Sequence, residues 1–561
     1  MTKVLFPGVG PNKVVYFFGG GLLLITIAIY TGFAGFPLVI SKKIKNAISL
    51  KEESESLKHF KELPVPLEFN VYIFNVTNPE EVSQGARPEL KQVGPYVYDE
   101  YKKKVNFSMP QYMYYVTYKE VKTYKFNPNK SDNLRESDEV TVLNIPLMGS
   151  AYMVEERFPM GLAFLNAAVP YLFPNATIPF IQTTVGGLLF DGVPIRCGYK
   201  TGPAMPICRG MATNLPPPIR RLEGTEDFAF SMFHNINGSE SGLFKVNRGT
   251  SDLYKLGSII QYKNLDHLDM WERNSSCSKL RGTDASILPP IRDHEDLYLY
   301  LPEVCLSLRA VYSEDAEVSG VPVYLYKSSQ DNFASPDEVK ENICRCKKVE
   351  DKPEPVCLKK GAIDASKCQG ASVILTQPHF YNCDPEYSSY PVGLQPDPKL
   401  HETRVFIHPQ TGVPLAAYKR IQMNIFLKRF EEIDMLKNVS EGLFPLIWVE
   451  EALPKEMLKI YLPSLKELIL VERVSKILVW LCGAVGLACV CWSVFLYLKH
   501  QGKPCLRENQ VVSNPAEGRL DNEKRTVYNI PITPLQTEGE LCSSDAMYLK
   551  DNATFKRTLT S

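Results

Sequence analysis

Nine cysteines fall between residues 197 and 383: Cys197, Cys208, Cys277, Cys305, Cys344, Cys346, Cys357, Cys368 and Cys383. Structural zinc would need paired knuckles of the C-x2–4-C kind. This chain offers only Cys344-x-Cys346 and then single cysteines at wide gaps. Six thiols crowded between Cys277 and Cys368 read instead as disulfides made in an oxidising compartment. The number is odd, so one thiol is left over or pairs between chains. Cys383 is the candidate, since it lies outside both groups. Sugar acceptors point to the same compartment. N-x-[S/T] occurs at Asn75, Asn106, Asn129, Asn175, Asn237, Asn274 and Asn438, a density that predicts a glycosylated lumenal or extracellular surface.

Catalytic patterns are missing. The chain has no HExxH, no G-x-S-x-G and no GxxxxGK[ST]. Gly238-Ser-Glu-Ser-Gly242 has the outline of a nucleophile elbow but centres on Glu240. The eight histidines are scattered, and His267 and His294, flanked by Asp266, Asp293 and Glu295, read as solvated loop residues. The expectation is no enzyme, no metal and no cofactor, with binding or transport as the default. Lys+Arg and Asp+Glu are both 63. That balance excludes nucleic-acid binding driven by bulk positive charge.

Two apolar runs must hold this chemistry in place. Val14–Ile40 carries no charge, and its length exceeds a bilayer's hydrocarbon core and the apolar core of a cleaved signal peptide. Ile477–Leu498 is a second uncharged run, closed by Lys476 and Lys499. The chain therefore divides into a cytoplasmic N-terminus (1–13), a first span (14–40), a disulfide-bonded ectodomain (41–476), a second span (477–498) and a disordered cytoplasmic tail (499–561). Lys3 and Lys13 precede the first span, but Lys42, Lys43 and Lys45 follow it, so the positive-inside count does not decide orientation. The sequons do, and they leave Asn552 on the cytosolic side.

Within the ectodomain, alternation at Leu67–Val76, Tyr112–Tyr118, Tyr298–Tyr312 and Val321–Tyr326 predicts strands. Arg404–His408 and Val413–Lys428 flank a Pro-Gln-Thr-Gly turn and read as a hairpin. Helical pattern occupies Lys42–Glu62 and Lys455–Lys476. The fold class is α+β, a large mostly antiparallel β core with inserted helices. Phe158–Ile195 stands apart, with Asp191 as its single charge. Its prolines argue against a third span. Short helices are expected around Met160–Val169 and Phe180–Phe190. The segment reads either as a buried core hairpin or as an exposed apolar patch or cavity mouth that takes up lipid.

Several stretches resemble the class B scavenger receptor family: Phe74–Val82 (FNVTNPEEV) followed by Val93-Gly-Pro-Tyr96, Asn274–Pro290, Gly320–Tyr326, Pro378-His-Phe380 and His401–Ile425. The resemblance spans both anchors and nearly all of the ectodomain, but not the tail. Within the family the chain is most similar to the insect sensory neuron membrane proteins, on Leu188–Gly192 (LLFDG) and the pair Cys197 and Cys208. The resemblance implies a β-barrel-like ectodomain traversed by a tunnel and capped by a small apical helical bundle at about residues 150–195. It implies disulfides Cys277–Cys344, Cys305–Cys368, Cys346–Cys357 and Cys197–Cys208, with Cys383 unpaired. It implies a plasma-membrane receptor in a sensory neuron dendrite or support cell, with both termini cytoplasmic. Such a receptor would take hydrophobic semiochemicals from odorant-binding proteins and pass them to the membrane or an odorant receptor complex. Phe158, Leu162, Leu165, Val169, Leu172, Phe180 and Leu188 are the expected ligand contacts, and Leu165→Asp the expected functional probe. The family's lysine-bearing apex is not matched, because no Lys or Arg lies between Arg157 and Arg196. This favours neutral, esterified or aldehyde-ended chains. Alternatives are a scavenger receptor for lipoproteins, a two-span ion channel and an adhesion protein. The tail shows no acidic-dileucine signal, and Tyr528 and Tyr548 lack a bulky apolar residue three positions on, which favours the plasma membrane. Cys491 and Cys505 are palmitoylation candidates.

Overall fold

The computed structural model describes residues 11–198, 201–349 and 353–501. Tyr528, Tyr548, Cys505 and Asn552 lie outside the described residues.

The first long helix runs over Pro11–Tyr30, widens into a π turn at Thr31–Gly35 and resumes over Phe36–Ile48. The Thr31 hydroxyl donates to the Ile27 carbonyl at 2.7 Å. That bond competes with the helix ladder where the turn widens. The second helix, Lys455–Gln501, is unbroken, so the expected juxtamembrane helix and second span are one element. The expected helix Lys42–Glu62 is instead two pieces. The first stops at Ile48, and Glu55–Lys61 starts anew after Ser54, whose hydroxyl accepts from the Leu57 N–H at 3.2 Å. The long helices meet through glycine. A Cβ on Gly21 would stand 2.7 Å from the Gly486 carbonyl oxygen, and the Ser493 hydroxyl donates to the Val14 carbonyl at 2.7 Å.

Between the helices lies an antiparallel sheet of 13 strands. Its spatial order is Ile259–Tyr262, Phe244–Asn247, Tyr115–Phe126, Leu90–Ser108, Leu67–Val76, Gly442–Ala452, Pro414–Leu427, Arg404–Ile407, Val321–Ser328, Leu306–Val318 and Leu297–Leu301. Ile374–Thr376 pairs with Pro414–Leu427 and carries Ala362–Asp364. The run expected as one strand over Tyr298–Tyr312 is two, folded back at Leu301–Leu306. Cys305 turns the corner at φ 53° and is tied to Cys368. The strand expected from Tyr112 begins only at Tyr115.

The sheet is open, so strand pairing does not close the expected β-barrel-like ectodomain into a barrel. Its two edges are joined by a loop: Gly282 accepts from the Ile259 N–H at 2.8 Å, and Thr283 exchanges bonds with Tyr298 and Tyr300 on the opposite edge. Gly282 has φ 75°, and a Cβ there would lie 1.7 Å from the Tyr298 carbonyl oxygen. Only glycine fits this seam.

Leu67–Val76 pairs with Gly442–Ala452 so that Glu68 faces Ala452, shortly before the second long helix begins. This end of the sheet is the base. At the far end sits the apical segment. Its helices are Ile145–Arg157 and Leu162–Leu172, but Phe180–Phe190 is not helical. Phe180–Thr184 pairs as a strand with Glu139–Leu143, and Gly187–Asp191 forms a π turn. β-branched Ile181, Thr183 and Thr184 suit that strand. The segment is thus helical only in its first half.

Candidate functional site: a chamber at the base

A chamber of about 930 Å³ lies between the base of the sheet and the membrane-proximal turns of both long helices. Ile44 and Ile48 line it from the first helix, and Met457, Ile460 and Leu465 from the second. The opposite wall is charged. Glu100, Lys102 and Lys104 alternate along Leu90–Ser108, so they share one face; Glu120 and Lys122 do so along the neighbouring strand. The register sets Lys102 opposite Lys122 and Lys104 opposite Glu120.

Two lysines facing each other would repel, and carboxylates from other strands offset this. Lys122 reaches Glu303 at 2.6 Å and Lys102 reaches Glu451 at 2.7 Å. Lys419 lies within 3.6 Å of Glu303 and 3.8 Å of Glu451. Lys104 bridges Glu120 at 3.2 Å and Asp284 at 3.6 Å, and donates to the Ser286 hydroxyl at 2.7 Å. Burial opposes the charge on Asp284, but Lys104, the Tyr118 hydroxyl and Ser286 outweigh it, so its pKa is lowered. Glu303 is held well below the usual range, because Lys122 and Lys419 outweigh its burial. Glu100 is the exception. It is fully buried, and burial, reinforced by the Glu451 carboxylate, pushes it up to about 7. Its Oε2 has no hydrogen-bond partner. With Glu100 neutral, every lysine of this wall is matched by a carboxylate, leaving no spare cation for an acidic ligand.

The chamber stops short of the apex. Leu67, Lys102 and Lys122 line it, and no lining residue falls between Lys122 and Phe244. The next inward positions on those three strands are Phe69, Glu100 and Tyr124. With Phe190 and Phe233 they form a plug: the Phe69–Tyr124, Phe69–Phe233, Tyr124–Phe190 and Phe190–Phe233 ring centroids lie 4.8, 5.3, 5.8 and 5.9 Å apart. Phe190 comes from the Leu188–Gly192 stretch, whose π turn aims it inward.

Of the expected ligand contacts, Leu162, Leu165, Val169, Leu172, Phe180 and Leu188 are buried in the main hydrophobic core. Only Phe158 is exposed. The apical surface is formed instead by Phe158, Met160 and Phe164. The segment is thus mostly core with a small apolar cap, and its buried leucines are packing residues. Leu165 has no exposed surface, so Leu165→Asp tests folding and not ligand capture.

Among the described residues the disulfides are Cys197–Cys208, Cys277–Cys344, Cys305–Cys368 and Cys346–Cys357. Cys383 is free and half-buried, its thiol pushed up to about 12 by burial and by Asp384. Asn106, Asn129, Asn175, Asn274 and Asn438 are exposed. Asn75 and Asn237 are half-buried, with their carbonyl oxygens accepting from the Thr141 and Tyr124 N–H groups. Their amide nitrogens, the atoms that carry glycans, are not used in those bonds. The charged wall was missed because its residues lie far apart in sequence. The available signal was opposite charge at two-residue spacing, Glu100-x-Lys102 and Glu120-x-Lys122, inside strand-like runs.

Among the described residues no group of three or more His, Cys, Asp or Glu side chains is placed to hold a metal. His379 and His401, distant in sequence, stack at 4.3 Å. The His379 Nδ1 accepts from the Gln395 N–H, so its Nε2 carries the proton toward Gln92 at 2.6 Å.

Comparison with known proteins agrees with this architecture. The chain is 36% identical over 439 residues to sensory neuron membrane protein 2 of Heliothis virescens, covering 78% of this chain and 84% of that one. It is 37% identical over 441 residues to the Manduca sexta protein of the same name, with the same coverage. It is 32% identical over 438 residues to sensory neuron membrane protein 1 of Apis mellifera, covering 78% and 82%. Two long apolar helices near the ends of the described chain, and relatives named as membrane proteins, make this a two-span membrane protein. The CD36 family model matches residues 19–497, most of both long helices included, and the chain belongs to the CD36 family.

Proposed function

We propose that the protein is a cell-surface lipid receptor that holds a long-chain, neutral-headed amphiphile in the basal chamber and releases it to the bilayer. In an insect sensory organ that ligand is a lipid-derived semiochemical bound for an odorant receptor. The observation that carries the reading is the chamber itself. Its volume lies at the upper end for small-ligand sites, roughly 300–1,000 Å³, and membrane-proximal helix turns form one wall. Each methylene leaving water gains about 0.8 kcal/mol, so an acyl chain favours the apolar wall. A hydroxyl, ester or aldehyde oxygen meets the lysine–carboxylate wall without needing a free cation. Entry from the apex requires the plug at Phe69, Tyr124, Phe190 and Phe233 to part.

The sequons and disulfides support an extracellular ectodomain and, with two spans, a reading in which both termini are cytoplasmic. Buried His379, His401 and His408 support neutral surroundings. Burial holds each near pKa 4, against an ordinary 6.5. Between those values the unfolded chain binds protons that the fold refuses. Stability therefore falls as pH drops from about 6.5 toward 4, which suits a cell surface better than an acidic organelle.

Ala417 lines the chamber. Ala417→Trp fills part of it. Full-length protein in vesicles should then lose most binding of a fluorescent long-chain acetate or aldehyde, while surface delivery and thermal stability stay close to the parent. Undiminished binding by a well-folded variant would exclude the chamber as the ligand site.

A further inference from the structure

We propose that the turn Met109–Tyr114, which joins the neighbouring strands Leu90–Ser108 and Tyr115–Phe126, is a third membrane contact, with Tyr112 at its tip reaching the headgroup region of the same bilayer that holds the two helices. Tyr112 is 93% exposed, Met113 47% and Tyr114 50%. Three consecutive large apolar or amphipathic side chains at a strand-pair tip are unusual on a surface facing only water. Tyrosine has an apolar ring and a polar end, and it is enriched where a bilayer meets water.

The position of the tip follows from two independent lengths. The second helix leaves the sheet at Lys455 and reaches its uncharged run after Lys476, which separates base from bilayer by about 32 Å at 1.5 Å per residue. The strand Leu90–Ser108 passes the base at Glu100, opposite Leu67. It then continues eight residues to Ser108, about 27 Å at 3.4 Å per residue. The turn at Met109–Tyr114 covers the remaining distance.

Hydrogen bonds fix the direction. The Leu50 N–H donates to the Arg248 carbonyl at 3.0 Å, and the Arg248 N–H donates to the Tyr114 carbonyl at 2.8 Å. The Arg248 side chain ties the same two segments, donating to the Leu50 carbonyl at 2.9 Å and the Met113 carbonyl at 3.0 Å. Leu50 follows the end of the first helix at Ile48. That end stands about 12 Å above Ile40 at helical rise, and the interfacial band itself is roughly 5–8 Å deep. Tyr112 projects beyond this clamp. Lys42 and Lys43, two and three residues past Ile40, are exposed at the depth where lipid phosphates lie. The nearest sequon in sequence, Asn106, lies three residues before the turn and donates its amide to Glu240 at 3.4 Å. A third foot would set the chamber's height and tilt over the membrane.

The test uses full-length protein with Tyr112→Trp in phosphatidylcholine vesicles, and reads the tryptophan emission that the variant adds over the parent. Phe164→Trp at the exposed apex is the control. Bromine placed shallow on the acyl chains should quench the emission added by Tyr112→Trp about twofold or more, as for an interfacial aromatic, while aqueous acrylamide has little effect. The emission added at the apex should behave the opposite way. Quenching of the added tip emission by acrylamide alone overturns the proposal, because the tip is then in water. Quenching by neither also overturns it, because the tip is then covered by protein. Tyr112 is exposed enough that the substitution leaves the fold intact, which a thermal melt checks.

Discussion

The apical core is uncharged and tightly packed, whereas the base is charged and hollow. Both ends bury large side chains, but they solve different problems. At the apex, Leu162, Leu165, Val169 and Leu172 interdigitate with Phe430, Ile433, Leu436 and Val439 in one core. Nothing there resists collapse, so apolar side chains pack closely. At the base, the lysines and carboxylates on the chamber wall cannot approach apolar helices closely without losing solvation. Their mutual pairing lets them stay inside, and their polarity keeps the opposite wall at a distance. A lack of charge therefore marked packing, and the residues that hold a cavity open were the ones a hydrophobicity scan passes over.

The sharpest test of this contrast is at the apex. Leu165→Asp puts a carboxylate into a site with no exposed surface. We expect a loss of about 4 kcal/mol or more, the range for an unpaired buried charge, and retention of the variant inside the cell. Phe164→Asp, one residue away and 68% exposed, should mature normally and melt within about 1 °C of the parent, as exposed substitutions do. Equal surface delivery of the two would show that the apex is less solid than its burial indicates.

These two neighbours also show what could be read beforehand. The strands Leu67–Val76 and Val321–Ser328 and the hairpin around Pro409–Gly412 were visible because one face alternates apolar residues at period two. The two spans were visible because charge is absent for longer than any core helix requires. The disulfide pairing and the sequons came with family resemblance or a local motif. Which apical residues face outward was not readable, since Phe158–Ile195 is apolar on every side and gives no amphipathic contrast. The chamber was hidden for another reason. Lys104, Asp284, Glu303 and Glu451 come from separate segments, and only the folded sheet brings them together.

The next effect concerns the seam that keeps the base hollow. Gly282 joins the two sheet edges, and the following residues, Asp284 to Leu288, line the chamber. Gly282→Ala forces a Cβ against the Tyr298 carbonyl and into a left-handed conformation that alanine disfavours by roughly 1–2 kcal/mol before the clash is counted. The combined cost should be about 2–4 kcal/mol, in the range of strained backbone sites. Exchange of the Ile259 and Tyr300 amides should speed up while apical amides stay protected. Uniform loss of protection across both ends would mean that they unfold as one unit.

The smallest effect isolates the charge that the base tolerates least well. Glu100 has an ordinary value of 4.5 and is pushed up to about 7 by burial first and by Glu451 second, against the pull of Lys102, Lys122 and Lys419. Below about pH 4.5 the carboxyl is protonated in both states and costs nothing. Between 4.5 and 7 the folded chain keeps a proton that the unfolded chain has released, so stability falls as pH rises; above 7 the full cost is present. Glu100→Gln removes that cost while keeping the shape. The variant should therefore melt with the parent near pH 4.5 and above it at pH 8, by about 2 °C on the usual scaling for a large domain. Buried His379, His401 and His408 pull in the opposite direction over the acid range, but they are common to both proteins and cancel in the difference. A melting difference that is flat with pH would mean Glu100 is ionised throughout. The chamber wall would then carry one negative charge in excess and would favour a ligand head that donates hydrogen bonds or bears a positive charge.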